Sequence, residues 1–312
     1  MSHRSGTRTL LIIVAALAAL YFVSTRWGAT SKQRSFRDEV IRLDTAAITS
    51  FSLFPAKLGH AELRFERTPD GWTVVAGDGA VHRADTADLN ALLRGVAYAR
   101  AHRFTGYLDR LAERYDLTDS LVDRAVFRLR DGTEKQVLFG RGQPAEDGSG
   151  MLSTINIVGE NEVFSVKGTM SEMAEQDLVS WRPTRLMAGR PADIQRVSLQ
   201  YSMDTGYVLE RRDRLWLVDQ DTADQSKVDR YLADITNAKA QTFADTMNIA
   251  GRAPDYSLRV EFIDGRPPVE VRVTMAWTGL VVTTSLDPGS QMRFDPAREL
   301  PRMFKTRPYF LP

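Results

Sequence analysis

From residue 48 onward, the hydrophobic pattern consists of short runs in which apolar and polar residues alternate or apolar residues cluster. Short runs of this kind, interrupted by turn residues, predict β-strands. The first three are "ITSFSLF" (48–54), "AELRFER" (61–67) and "WTVVA" (72–76). Pro69-Asp70-Gly71 separates the last two and is a strong turn signal. This part of the chain is therefore expected to form antiparallel strands.

A helical pattern follows these strands. Four apolar residues recur at i, i+3, i+4 and i+7, on one face of a helix: Leu89, Leu92, Leu93 and Val96. Asp85 or Thr86 is suited to cap the N-terminus of this helix. A second, shorter helix is predicted over residues 107–115, and its polar side chains include a cluster of acids.

Further short strands complete the first half of the chain. Asp131-Gly132 predicts the turn of a β-hairpin. Two more strands are predicted in "MLSTINIV" (151–158) and "EVFSV" (162–166), followed by a short helix near "TMSEMAEQ" (169–176). The segment "WRPTRLM" (181–187) ends this unit.

The second half repeats the pattern of the first. "IQRVSL" (194–199) restates "ITSFSL", and "YVLERRDRLWLV" (207–218) restates the next two strands, with Trp216 matching Trp72. Asp224 and the helix after it match Asp85 and its helix without a gap. "WRPTRL" corresponds to the C-terminal "TRPYFL". We expect this C-terminal segment to dock on its own domain. Matches in one order along a whole unit indicate a tandem duplication.

These patterns predict an α+β protein with two tandem, duplicated domains. The first covers residues 48–187 and the second residues 194–312, and the short linker "AGRPA" (188–192) joins them. Each domain is expected to contain short antiparallel strands with one or two helices. The short linker favours packed domains, with a cleft between them.

The N-terminus carries the longest apolar run, Leu10 to Val23, which lies between Arg8 and Arg26. We interpret residues 10–25 as a transmembrane signal-anchor, residues 1–9 as a cytoplasmic N-terminus, and residues 26–47 as a juxtamembrane spacer, helical in its polar part. A cleaved signal peptide and a buried soluble helix are the alternatives. With one span, the large domains are expected on the outer side.

Composition limits the possible chemistry. The chain has 312 residues, a net charge of +1 and no cysteine. The near-neutral charge argues against nucleic acid as a partner. The absence of cysteine excludes disulfides, thiolate metal sites, a cysteine nucleophile and lipidation at a lipobox.

No residue is assigned to catalysis, cofactor binding or metal binding. The histidines His3, His60, His82 and His102 lack the spacing of a zinc site. The glycine-rich loop "GRGQPAEDGSG" (140–150) lacks the third glycine and the helix of a phosphate loop, and Ser149 lacks a nucleophile elbow. Trp72 and Trp216 could stack on sugars, but core packing is favoured.

The order of these motifs resembles the bacterial family called domain of unknown function 4340. The resemblance rests on the apolar anchor, an Ile-x-x-Phe strand, "W-x-V", "AD" before a helix, "Y-x-L" (115–117), a strand ending in Phe-Gly (139–140), "VFSV" and a closing "R-x-x-L". It covers nearly all of residues 40–190 and, more weakly, the second repeat. It implies a single-span protein encoded beside a gliding-motility-type ABC transporter, and it implies no catalytic residues.

The resemblance therefore favours a non-enzymatic, membrane-anchored accessory or binding subunit of an ABC-type transport system. Its expected location is the bacterial inner membrane, with the bulk of the chain on the periplasmic side. The expected partners are the transporter permease or its auxiliary protein, and no cofactor is expected. The alternatives are a structural envelope scaffold or a carboxylate-dependent hydrolase of envelope glycan, for which the acids Asp109, Glu113, Asp116 and Asp119 are available.

Overall fold

The computed structural model describes residues 37–75 and 79–312. This part of the chain forms two sheets of antiparallel strands with few helices, which agrees with the predicted α+β class. None of its helices has the length and hydrophobicity needed to span a bilayer. The predicted anchor, Leu10 to Val23, lies outside the described residues.

The first sheet contains eleven strands in the order β1-β6-β11-β10-β8-β7-β2-β3-β4-β5, with β9 paired to β10. Their bounds are β1 Glu39–Arg42, β2 Ile48–Phe54, β3 Leu63–Thr68, β4 Gly71–Val75, β5 Val81–Arg83, β6 Tyr98–Tyr107, β7 Asp123–Leu129, β8 Glu134–Phe139, β9 Gln143–Pro144, β10 Met151–Ile157 and β11 Glu162–Lys167. The first three strands predicted from the sequence and the hairpin at Asp131-Gly132 are all present.

The core of the first sheet contains a group of aromatic rings on neighbouring strands. Phe51 on β2 pairs in register with Phe65 on β3 and with Phe127 on β7. The rings of Phe51 and Phe65 stack with their centroids 4.4 Å apart. All three side chains are fully buried, because alternate residues of neighbouring strands point to the same face of a sheet.

The second sheet contains nine strands in the order β16-β20-β19-β18-β17-β12-β13-β14-β15. Their bounds are β12 Ile194–Tyr201, β13 Tyr207–Arg212, β14 Leu215–Val218, β15 Asp221–Thr222, β16 Thr242–Phe243, β17 Tyr256–Phe262, β18 Val269–Ala276, β19 Gly279–Thr284 and β20 Asp287–Phe294. On neighbouring strands of this sheet, Val197, Val260 and Val271 are fully buried.

The two sheets have the same strand order. Nine strands of the first sheet remain when β1 and β9 are left out. If these nine are numbered in chain order, their spatial order in the sheet is the same as that of β12 to β20 in the second sheet. Local hydrogen bonds also correspond: the Ala84 amide donates to the Trp72 carbonyl, and the Ala223 amide donates to the Trp216 carbonyl.

Within residues 37–75 and 79–312, five α-helices accompany the sheets: α1 Thr86–Ala97, α2 Leu108–Leu111, α3 Met170–Ala174, α4 Gln225–Thr236 and α5 Leu300–Met303. The two longest, α1 and α4, occupy equivalent places in the two sheets. Asp85 caps α1 by accepting from the Ala87 amide, and Asp224 caps α4 by accepting from the Ser226 amide. The predicted apolar face of α1 is buried.

Two helical predictions need correction. The spacer was expected to be helical, but its residues 39–42 form β1, because pairing with the edge of β6 buries Val40 and Ile41. The helix predicted over 107–115 ends at Leu111. The chain then continues in turns, since the Tyr115 carbonyl accepts from the Arg141 amide and Asp116 is left-handed, with φ 58°.

The register of the closing motifs also needs correction. The Asp85 amide donates to the carbonyl of Trp181, and the equivalent Asp224 amide donates to the carbonyl of Phe310. Trp181-Arg182-Pro183 therefore corresponds to Phe310-Leu311-Pro312. The sequence match between "WRPTRL" and "TRPYFL" was therefore misaligned. It aligned the Arg-Pro pair that both segments contain, whereas the structure aligns their buried aromatic residues. The predicted self-docking of the C-terminal segment is confirmed, since Phe310 is fully buried.

Candidate functional site

The segment 181–187 joins the two sheets by placing successive side chains in different environments. Trp181 is buried in the first core, where its ring meets Phe65 edge-on at 5.2 Å. Leu186 and Met187 are buried in the core of the second sheet. The Ala240 amide donates to the Thr184 carbonyl at 2.8 Å. The connection is therefore part of both cores.

Arg182 lies between these two anchors and is the most buried cation of the junction, with 2% of its side chain exposed. Its guanidinium forms a two-point salt bridge with Asp245, whose Oδ1 accepts from Nη2 at 3.0 Å. The same Nη2 donates to Ser290 Oγ at 2.9 Å. The guanidinium carbon lies 3.6 Å from the centroid of the Phe243 ring, a cation–π contact. A residue of the segment 181–187 is thus held by three residues of the second repeat.

Arg182 also sets the charge state of its partner. Its hydrogen bonds and positive charge lower the pKa of the Asp245 carboxyl, and His82 lowers it further, while partial burial opposes them. The carboxyl is therefore ionised throughout the neutral range.

This depressed pKa predicts a dependence of stability on pH. A carboxyl with a lower pKa in the folded than in the unfolded state stabilises the fold above about pH 4, and that stability is lost as the pH falls through the folded-state pKa. We expect Asp245→Asn to remove this part of the acid sensitivity. Unfolding midpoints measured between about pH 7 and pH 3 test this. Parallel pH profiles for the variant and the wild type would contradict the assignment.

Beside the junction, the two sheets enclose an open cavity of about 350 Å³, here called the inter-sheet cleft. Arg83 of β5 closes one side by donating from Nη1 to the Leu286 carbonyl at 2.7 Å. The cleft contains charges of both signs, and Asp287 Oδ2 is buried within the described structure without a hydrogen-bond partner. The lining residues are Arg83, Ala84, Asp85, Thr86, Ala87, Pro183, Arg185, Ala188, Leu286 and Asp287.

The N-terminal turn of α1 lies at this cleft. Burial and repulsion from the Asp85 carboxylate raise the pKa of Asp88, while Lys239 opposes them. Lys239 belongs to the second repeat and forms a β-bridge with Arg185 of the segment 181–187. The cleft is therefore built from both repeats and the linker, and its polar groups suit a small polar ligand rather than an apolar one.

The four candidate acids of the second predicted helix were named as able to supply a catalytic pair. Among them, the Asp116 carboxylate is held by Arg141, which donates from Nε at 2.8 Å and from Nη2 at 3.0 Å. Asp109 lies on α2, whereas Glu113 and Asp119 follow that helix. One of the four carboxylates is thus already engaged in a salt bridge.

The histidines are dispersed. His60 lies near the Phe54 carbonyl, His82 on β5 and His102 on β6, while His3 lies outside the described residues. No cluster of three or more metal-ligating side chains occurs in residues 37–75 and 79–312. Trp72 and Trp216 are buried in the two cores, as predicted.

The glycine-rich loop has a packing role. A Cβ on Gly140 would overlap the Tyr115 carbonyl oxygen, and a Cβ on Gly142 would overlap the Glu172 carboxylate. The two glycines therefore permit close approach of the backbone to its neighbours. Ser149 accepts from Lys167 Nζ at 3.2 Å and has no histidine partner among its described hydrogen bonds.

This packing predicts that Gly140→Ala is destabilising. The overlap is with a backbone atom, which cannot rotate away, so we expect a loss of at least about 2 kcal/mol. Gly289→Ala is the matched control, because a Cβ there meets nothing within 4 Å. Thermal unfolding of both variants tests the prediction, and equal melting temperatures would contradict it.

Sequence reasoning did not find Arg182 or Asp287. The only signal for Arg182 was its position next to an aromatic residue at the end of a repeat. The alignment of "WRPTRL" with "TRPYFL" then matched Arg182 to Arg307. In the structure, Arg307 instead pairs with Asp219 and Asp221 at the surface.

Comparison with known proteins gives one family match. A family model described as "Domain of unknown function (DUF4340)" matches residues 72–259. The match covers more than half of the chain and runs from β4 into β17, across the junction. It therefore starts later and ends later than the resemblance over residues 40–190. No curated protein and no solved structure matches the chain.

Proposed function

The chain belongs to the family described as Domain of unknown function (DUF4340), and from this premise we propose that it is a non-enzymatic, membrane-anchored accessory or binding subunit of an ABC-type transport system. Leu10 to Val23 serve as its anchor in the bacterial inner membrane. The two sheets lie on the periplasmic side. The partner is the transporter permease or its auxiliary protein.

The observation that carries this proposal is the inter-sheet cleft. Clefts between domains are preferred ligand sites, and this one combines Arg83 and Arg185 with Asp85 and Asp287. The buried Asp287 Oδ2 offers an acceptor to an N–H donor or a cation. The cleft supports ligand binding rather than catalytic turnover, because none of the carboxylates that line it is paired with a nucleophile or a base.

We propose further that the two sheets arose by tandem duplication. Their common strand order supports this, together with the equivalent helices and N-caps. The strands β1 and β9 and the helix α2 are then additions to the first repeat. The second repeat is the simpler version of the same fold.

Co-purification from native membranes in mild detergent, followed by mass spectrometry, tests the proposed function. We expect a permease and an ATPase to be recovered in constant proportion to the protein. The control is a variant in which a cleavable signal replaces residues 1–25, which should release a folded protein and lose the partners. If the wild-type protein is recovered alone from membranes that contain the transporter, the proposal is wrong.

A further inference from the structure

Three large apolar side chains lie exposed at one end of the second sheet. The exposed fractions are 96% for Met203, 59% for Met275 and 94% for Trp277. We call these three residues the Trp277 surface. Most apolar side chains of this sheet are buried, so a nearly fully exposed tryptophan beside two methionines is a departure from its general pattern.

The Trp277 surface lies at the end of β18 and in the turn after it. Val273 on β18 is fully buried on the core side. Met275 follows it by two residues and shares this face, because successive side chains of a strand alternate between its two faces. Trp277 lies in the two-residue turn that joins β18 to β19, and Gly279 after it has φ 133°. The apolar face of β18 thus reaches solvent at Met275, and the turn adds the exposed Trp277.

Hydrogen bonds around Asp255 connect the loop of Met203 with the end of β18. The amide of Ser202, which precedes Met203, donates to the Asp255 carbonyl at 2.8 Å. The Met275 amide donates to Asp255 Oδ2 at 2.7 Å. Arg252 Nη1 donates to the Met275 carbonyl at 3.1 Å. The backbone that carries Met203 and Met275 is therefore fixed, and Trp277 follows in the adjacent turn.

A groove of about 390 Å³ lies beside Trp277, between the loop before β17 and the hairpin of β18 and β19. Its charged lining consists of Arg252 and Asp255, which balance each other. Asp204 lies next to Met203 on the neighbouring loop. The lining residues are Arg252, Ala253, Asp255, Thr274, Met275, Ala276 and Trp277.

The charges decide which occupant fits this surface. Binding to an anionic bilayer or to nucleic acid needs a cluster of basic residues, whereas Asp204 and Asp255 outnumber Arg252 here. Tryptophan, methionine and arginine are enriched in the cores of protein–protein interfaces, and flexible methionines adapt to a partner surface. The composition therefore favours an apolar segment of another protein.

We infer that the Trp277 surface is a docking site for an apolar segment of a protein partner. This inference rests on the proposed function, and it assigns the partner as the periplasmic part of the transporter's membrane subunit. Trp277 is the anchor residue of the contact, and Met203 and Met275 pack around the inserted segment.

The experiment combines variants with photo-crosslinking in the full-length, membrane-embedded protein. The doubly substituted chain, with Trp277→Ala and Met203→Ser, is expected to recover at least tenfold less permease than the wild type. The control carries Ile263→Ser and Leu215→Ser. The native side chains at these two positions are also apolar and exposed, but they lie at the opposite end of the sheet. A photo-crosslinking residue at position 277 is expected to label the permease.

The outcomes separate this inference from the proposed function. If the double variant retains the transporter as well as the control does, the docking site is wrong and the proposed function stands. Crosslinks from position 277 only to lipid or to a second copy of the chain also overturn the docking site. If the wild-type protein recovers no transporter, both proposals fail. Equal far-ultraviolet circular dichroism of the variants shows that the fold is retained.

Discussion

Replacing Asp245 by alanine is expected to lower the free energy of unfolding by about 3 kcal/mol. The substitution leaves the Arg182 guanidinium without its counter-charge while its side chain remains 2% exposed. A buried charge that loses its partner keeps its full cost of desolvation. Urea unfolding of the full-length protein in mild detergent, followed by circular dichroism, should show a midpoint lower by about 1 M.

The control for this prediction is a salt bridge at the surface. Arg128 and Glu134 form an ion pair in which both side chains are 45% exposed. Glu134→Ala is expected to cost less than about 1 kcal/mol, because water already solvates both groups. If Asp245→Ala costs no more than Glu134→Ala, Arg182 does not depend on Asp245 and the account of the junction is wrong.

Replacing Trp181 by alanine is expected to cost about 4 kcal/mol. The indole is almost fully buried in the first core, against Phe65. Its removal leaves a cavity in the first core, one residue before Arg182 in the chain. The loss should therefore also loosen the junction between the sheets. Urea unfolding measures the first effect, and faster proteolysis of the segment 181–193 measures the second.

Trp181→Phe separates packing from hydrogen bonding at this position. The indole Nε1 is buried and has no hydrogen-bond partner among the described atoms. The substitution Trp181→Phe therefore removes no hydrogen bond. Phenylalanine retains an aromatic ring against Phe65. We expect a cost below half that of the alanine variant. Equal costs for the two variants would show that packing of the ring is not what Trp181 contributes.

Much of the fold could be predicted from the sequence because it depends on local signals. Alternating apolar residues predicted β2 to β4, and the spacing from Leu89 to Val96 predicted α1 together with its cap Asp85. The repeated order of these signals predicted two similar units. Each of these features depends on residues close together in the chain, so no tertiary information was needed.

The remaining features depend on contacts between distant parts of the chain. Residues 39–42 become a strand only because the edge of β6 is available to them. Arg182 obtains its role from Asp245 and Ser290, which follow it by 63 and 108 residues. No local pattern marks such partners. The inter-sheet cleft was expected only as a general consequence of two packed repeats.

The strand order also has a consequence for the kinetics of folding. Each sheet contains two meanders, such as β12 to β15 and β17 to β20, which are joined at the centre by a long-range pair, β12 with β17. A further long-range pair lies outside the meanders, β16 with β20 in the second sheet and β6 with β11 in the first. Contacts within a meander close short loops and form early, whereas the joining pair must bring distant segments together. We expect the rate-limiting step in each sheet to be the pairing of these central strands.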